Sequence, residues 1–229
     1  MEITDPYDLA LRDYHKGHSK ESLWLESSID SEIEEMPVEV FFREEGDLSD
    51  LESYALSICR GSVLDVGAGT GVHAEILQRH GHGVVALDSS SACVKICAQR
   101  GLSTIKTMFL DYQTDQKFDT IILLMNGIGI AGTLNELPRY IERLLSLLNP
   151  NGQLLFDSSD VSYLGIPRRE GRFFGEISYR YRYKGIKGEW FSWLYVDQET
   201  LKSTLSNMNL NHQVLYEEET GQYLVGLVK

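Results

Sequence analysis

Val63-Leu64-Asp65-Val66-Gly67-Ala68-Gly69-Thr70-Gly71 decides the fold. An apolar strand runs directly into three glycines at alternate positions, and a helical pattern starts at Val72. Glycine lacks a Cβ, so the backbone turns sharply there and lies close against a ligand. The helix that follows points its unpaired N–H groups at the same place. Strand, glycine turn and helix in this order predict a nucleotide pocket at the end of a parallel sheet.

Spacing narrows the ligand. The dinucleotide fingerprint is G-x-G-x-x-G/A, whose last small residue lets helix and strand pack closely beneath a pyrophosphate. Here the sixth place holds Val72, which speaks against a dinucleotide and against an NAD-dependent oxidoreductase. Residues 83–88, G-V-V-A-L-D, form a second apolar run ending in an acid, 17 residues beyond Gly71 (88 less 71). A carboxylate there is placed to accept both ribose hydroxyls, with bonds strengthened by its charge. The serines at 89–91 offer helix caps.

Three more units follow. Residues 102–110 are rich in apolar side chains and end at Asp111-Tyr112. Residues 118–127, F-D-T-I-I-L-L-M-N-G, are apolar enough for a central parallel strand buried on both faces. Residues 134–148 carry Leu137, Ile141, Leu144, Leu145 and Leu148 at helical steps, then Asn149-Pro150-Asn151-Gly152 reads as a turn into a strand over 153–157.

Taken in order, V-L-D-V-G-A-G-T-G, Asp88, Asp111-Tyr112, Asn126-Gly127 and the L-N-P-N-G turn resemble class I S-adenosylmethionine-dependent methyltransferases of small-molecule type. The resemblance covers about residues 60–160. It implies an α/β, Rossmann-like doubly wound sheet in an α/β/α sandwich. The sheet would have seven strands, mostly parallel with an antiparallel C-terminal strand, and a β-hairpin inserted after strand five. It implies S-adenosyl-L-methionine as cofactor and S-adenosyl-L-homocysteine as product. By the same resemblance Gly67, Ala68, Gly69 and Gly71 pass under the methionine and ribose, and Asp65 fixes the loop and the ammonium end. Asp88 and Ser89 would hold the ribose, Asp111 the adenine amino group and Tyr112 the ring. Asn126 and Gly127 would lie beside the transferred methyl. His73 would contact the cofactor or cap the helix start, and Tyr14 of a leading helix would fold over it. Nucleobase-amine methyltransferases carry an acid or Asn followed by Pro-Pro and an aromatic. Asn126-Gly127-Ile128-Gly129 departs from that pattern, which turns the expectation away from a nucleobase amine.

A hydroxyl or ammonium acceptor needs a base. His15, His18, His73, Asp157 and Asp160 are the available groups, with His18 and Asp157 as catalytic candidates and no residue assigned. Without a base, a non-catalytic cofactor-binding module stays open as the alternative, as does another transferase using the same cofactor.

The remaining sequence divides around this core. Residues 1–55 are expected to form a helical extension or lid, 56–160 the cofactor-binding core, and 161–229 the rest of the same domain. Residues 1–60 hold 16 acids and 5 bases of a chain whose net charge is −13. Such a balance makes binding to nucleic acid phosphates unfavourable. Tyr7 and Tyr14 lie seven apart, so one helix face can carry both. Residues 177–184, I-S-Y-R-Y-R-Y-K, alternate strictly, putting Tyr179, Tyr181 and Tyr183 on one strand face and Arg180, Arg182 and Lys184 on the other. With 189–196 they predict a β-hairpin within about 172–196, which by the resemblance would be a substrate roof or dimer contact. Seven bases against two acids between Arg168 and Lys187 read first as a hairpin whose aromatic face covers the core and whose basic face meets water, and second as a surface for a small-molecule substrate of anionic or aromatic character. Cys59, Cys93 and Cys97 are an odd set without metal spacing, which predicts core packing in a reducing compartment and no metal. An acidic start and no apolar run of bilayer length predict a cytoplasmic protein with no membrane partner, monomer or homodimer.

Overall fold

Side chains of the central strands alternate between two apolar clusters, and that alternation builds the layers. In the computed structural model, which describes residues 5–18, 21–29, 33–166 and 171–229, Val63, Ile122 and Leu155 face one cluster. Leu64, Ile121, Leu123, Leu154 and Phe156 face the other. A strand that is apolar at every position can be buried on both faces, which is the parallel-sheet pattern.

The chain runs through α1 (Pro6–His15), β1 (Leu23–Ser27), β2 (Ile33–Met36), α2 (Asp50–Ser57), β3 (Ser62–Val66), α3 (Val72–Arg79) and β4 (Gly83–Asp88). It continues through α4 (Ser91–Gln99), β5 (Ser103–Lys106), β6 (Phe118–Leu123), α5 (Leu137–Ser146), β7 (Leu148–Ser159) and β8 (Glu176–Tyr183). It closes with β9 (Ile186–Lys187), β10 (Phe191–Leu194), α6 (Gln198–Asn207), β11 (Gln213–Glu217) and β12 (Gln222–Val228).

The main sheet has seven strands in the order β11-β12-β7-β6-β3-β4-β5. β3 to β7 are parallel, while β12 is antiparallel to both β7 and β11. The chain reverses direction across the sheet at β3, so the carboxyl ends of β3 and β6 part there and leave a crevice. Leu137, Ile141 and Leu144 of α5 are fully buried, each contributing about 1.5–3 kcal/mol. Asp197 caps α6 by accepting from the Thr200 N–H, so that helix starts before the apolar residues that signal it.

Three expectations change. Asn149-Pro150-Asn151-Gly152 does not end the helix in a free turn. It bulges within β7, because Leu148 pairs with Phe118 and Gln153 already pairs with Thr120, and Asn151 takes up the bend at φ +62°. The N-terminal extension is not only helical, since β1 and β2 belong to a sheet. And the hairpin does not stand alone. β8 pairs on one edge with β10, Tyr179 opposite Phe191, and on its other edge with β1, Trp24 opposite Arg182. The result is a second, antiparallel sheet in the order β10-β8-β1-β2 with β9 on β8. Glu26 of β1 supplies the matching charge, pairing with Arg180 and with Arg182 at 2.9 Å. Arg168, Arg169 and the first part of the acidic run, 30–32, lie outside the described residues. Cys59, Cys93 and Cys97 are buried free thiols. No helix of the described residues is long and apolar enough to cross a membrane.

Candidate active-site cleft

The glycine loop, the ends of β4 and β6, the N-terminus of α1 and the second sheet enclose one cleft of about 710 Å³. That is the size of a small-molecule site. Gly67, Gly69 and Gly71 all adopt left-handed backbone, with φ of +74°, +56° and +88°. At Gly71 a Cβ would also sit 2.6 Å from Leu102 Cδ1 and 2.8 Å from Cys97 Sγ. At Gly69 it would meet nothing, so the loop backbone is open on that side.

Asp88 ties the loop to β4. Its Oδ2 accepts from the Gly69 N–H at 2.8 Å and its Oδ1 from the Ser90 N–H at 2.7 Å. The Ser89 N–H also acts on this carboxylate. A carboxylate has about four acceptor positions, so part of its capacity is left to offer. Burial raises the Asp88 carboxyl, against the pull of those backbone donors. Asp65 lies deeper, 2% exposed, and its Oδ2 has no hydrogen-bond partner. Burial pushes its carboxyl up to about 6, despite nearby His73.

Of the residues expected at the site, Gly67, Ala68, Gly69, His73, Asp88, Ser89 and Gly127 line the cleft. The rest lie elsewhere. Gly71 sits behind the loop as the N-cap of α3, so His73 is not the cap. The His73 Nε2 is instead 2.8 Å from Glu52 Oε1, and Glu52 also takes a bidentate pair from Arg43 at 2.6 and 2.8 Å. Burial opposes the charge on Glu52, but hydrogen bonds from His73 and Arg43 outweigh it and hold its carboxyl far below 4.5. Tyr14 packs on Phe42, ring centroids 4.7 Å apart, and Tyr7 takes the cleft position on α1. Asp111 is exposed and Tyr112 is buried in the core; Thr107, Met108 and Phe109 form that wall.

The turn after β6 places the remaining candidates. Met125 and Asn126 both have left-handed backbone, φ +65° and +56°, a conformation that costs non-glycine residues about 1 kcal/mol or more each. Asp157 holds that turn. It is fully buried and accepts from the Asn126 N–H at 2.8 Å, the Gly127 N–H at 3.1 Å and Gln222 Nε2 at 2.6 Å. With its oxygens occupied and its side chain outside the cleft lining, Asp157 is a positioning residue rather than a base. Asn126 is held the same way, its Oδ1 accepting from Ser159 Oγ at 2.7 Å and its carbonyl from Trp193 Nε1 at 3.0 Å. His15 and His18 are exposed, and Asp160 closes a local turn on the Ser162 N–H at 2.8 Å. None of these three lines the cleft.

The second sheet roofs the cleft with aromatic rings. Tyr7 stacks on Tyr181 at 4.9 Å, and Tyr181 on Phe191 at 5.4 Å. Packing raises the Tyr7, Tyr181 and Tyr195 phenols, so all three stay protonated at neutral pH. Trp193 reaches down to the core across Gly129, where a Cβ would sit 2.0 Å from the indole nitrogen. Arg180 and Arg182 fall on the opposite face with Glu26, and Lys184 pairs with Asp13 at 2.7 Å. The alternation that separates tyrosines from bases is therefore as expected. The bases, however, do not reach the cleft.

A methyltransferase domain family model matches residues 41–214. The chain is 36% identical to a methyltransferase from Bacteroides fragilis solved with S-adenosyl-L-homocysteine. That alignment has a TM-score of 0.88 and covers 99% of this chain and 95% of the other. It shares its fold, at 18% identity and a TM-score of 0.58, with the sugar N-methyltransferase KedS8 of Streptoalloteichus, over 87% of this chain and 96% of that one. The cypemycin N-terminal methyltransferase of a Streptomyces species is 28% identical over 103 residues, 43% of this chain. The match spans less than half the length of such curated relatives, 42% in this case.

Proposed function

This chain belongs to the class I S-adenosylmethionine-dependent methyltransferases, and from that premise we propose that its cleft binds S-adenosylmethionine and serves methyl transfer to a small-molecule acceptor. The observation that carries the reading is Asp88, a half-buried acid at the cleft end of β4, which holds the glycine loop and still keeps acceptor capacity facing the cleft. Two hydroxyls of a ribose match that capacity. Asp65 does not itself line the cleft, but its unpartnered oxygen, buried behind Val66 and Gly67 of the lining, offers negative charge to a cationic amino group there, and the open backbone at Gly69 fits a ligand laid along the loop.

The bound cofactor supplies an electrophilic methyl group on a sulfonium. The chain supplies position and dryness. Gly67, Ala68 and Gly69 form the floor, and Thr107, Met108 and Phe109 are assigned the wall against the adenine. The turn after β6, fixed by Asp157, brings Met125 and Gly127 beside the glycine loop. Holding two reactants in line supplies most of the rate advantage such a reaction needs. The aromatic roof keeps water out, which strengthens each electrostatic contact beneath it.

Calorimetry with S-adenosylmethionine and S-adenosylhomocysteine tests the reading. The wild-type protein is expected to bind both. Asp88→Ala is expected to weaken binding at least 100-fold, since two charge-assisted bonds of about 1.5–3 kcal/mol each are lost. No binding by the wild-type protein refutes it.

A further inference from the structure

The charge of the cleft constrains the acceptor, and the following step rests on the methyltransferase reading above. Among the described residues lining the cleft there are three aspartates, Asp5, Asp8 and Asp88, and neither lysine nor arginine. Tyr7, Tyr179, Tyr181, Phe191, Trp193 and Tyr195 bring six aromatic rings to the same space. Tyr7, Tyr181 and Phe191 form one stacked run within that lining. Arg180 and Arg182, which alternate with these tyrosines along β8, face away and share Glu26, and Lys184 just beyond the strand pairs with Asp13.

An aromatic face carries negative potential and attracts a cation. It repels an anion, as do the three carboxylates. A carboxylate or phenolate acceptor would enter against both. A neutral hydroxyl would need a base, and His73, the histidine of the described lining, already bonds Glu52. We propose that the roof is the specificity surface for a cationic acceptor: an amine, bound at first as its ammonium form, whose nitrogen receives the methyl. An ammonium is a far stronger acid than a neutral hydroxyl, so it gives up its proton to bulk water at the mouth of the cleft and the amine reaches the methyl in neutral form without a protein base. The nitrogen lone pair then forms the new N–C bond as the S–C bond breaks, with that bond's electron pair staying on sulfur. The positive charge passes to nitrogen, where the ring faces stabilise it as it develops.

The test uses the full chain saturated with S-adenosylhomocysteine and three probes of one shape: choline, its neutral isostere neohexyl alcohol, and the tert-butylacetate anion. Calorimetry and quenching of aromatic fluorescence read binding. Choline is expected to bind about tenfold tighter than the alcohol, and the anion weakest of the three. Phe191→Leu keeps apolar volume but removes one ring face. It is expected to cut that preference to about twofold while leaving S-adenosylhomocysteine affinity unchanged. Equal or weaker binding of choline, tighter binding of the anion, an unchanged preference in a folded Phe191→Leu protein, or no binding of any probe overturns the proposal. Should that variant fail to fold, the wild-type ranking decides alone. Failure of S-adenosylhomocysteine itself to bind overturns the cofactor reading, and the acceptor proposal with it.

Discussion

Replacing Asp65 with asparagine separates the stability of the free protein from its affinity for cofactor. Asp65 is 2% exposed and one of its oxygens has no partner, so its charge is expensive when the cleft is empty. Burial lifts its carboxyl from 3.8 to about 6. The folded value lies above the unfolded one, so the folded chain holds this proton more tightly. Its contribution favours folding at pH below about 4 and is lost as pH rises through about 6. That interval corresponds to about 3 kcal/mol at neutral pH. Asparagine keeps an acceptor for the Ala74 N–H that bonds Asp65 and carries no charge. Its amide hydrogens take the place of the unpartnered oxygen, at a cost of about 1–3 kcal/mol that does not change with pH. The pH-dependent part is therefore diagnostic. In urea unfolding of ligand-free protein, wild type is expected to lose about 3 kcal/mol relative to Asp65→Asn between about pH 4 and pH 7, with a constant difference above. In calorimetry at neutral pH the same variant is expected to bind S-adenosylmethionine more weakly. Parallel stability curves would show that the burial argument is wrong. Equal or tighter cofactor binding would show that Asp65 does not serve the ammonium end.

Glu52 gives the opposite pH dependence. Its folded carboxyl is depressed, so its stabilisation is present above its unfolded value of 4.5 and is lost as pH falls below it. Glu52→Gln is expected to cost about 3–5 kcal/mol at neutral pH, shrinking in acid, as read by the same urea titration. Gly129→Ala drives a methyl group into the Trp193 indole and is expected to cost about 1–3 kcal/mol. A red-shifted tryptophan emission would show that the roof has lifted. Tyr7→Ala is expected to weaken S-adenosylhomocysteine binding, whereas Tyr14→Ala, which loses packing on Phe42 and the neighbouring apolar cluster outside the cleft, is expected to lower the unfolding midpoint and leave affinity unchanged.

What could be read from the sequence was local. The loop at 67–71 and Asp88 are legible because strand, turn and acid follow one another within a single β-α-β unit. Asp111 and Tyr112 misled because β5 ends at Lys106 and the chain then turns through Phe109–Asp111, putting 107–109 on the cleft wall instead. Asp157 looked like a base because it ends an apolar strand. Nothing near it in sequence announces that its oxygens reach the backbone of residues 126 and 127, on the neighbouring strand's turn. The tyrosine and arginine faces of β8 were plain from alternation. Which of them met the cleft depended on β1, whose only clue was one acid, Glu26, able to meet both arginines.

That pairing has a consequence for how the chain is made. Glu26 and Arg182 are 156 positions apart, and β3 to β7 all lie between them. During synthesis the glycine loop and its parallel strands emerge while β1 waits without β8, with Trp24 still exposed at its edge. Contacts across so long a span form late, because closing the chain between them is slow. The five parallel strands of the core sheet can therefore pair before any roof exists. The protein becomes competent for its small molecule only when its first strands meet one of its last. A slow phase in refolding is expected to carry the signals of Trp24 and Trp193, and ligand binding is expected to appear with that phase rather than with the earlier burial of the core.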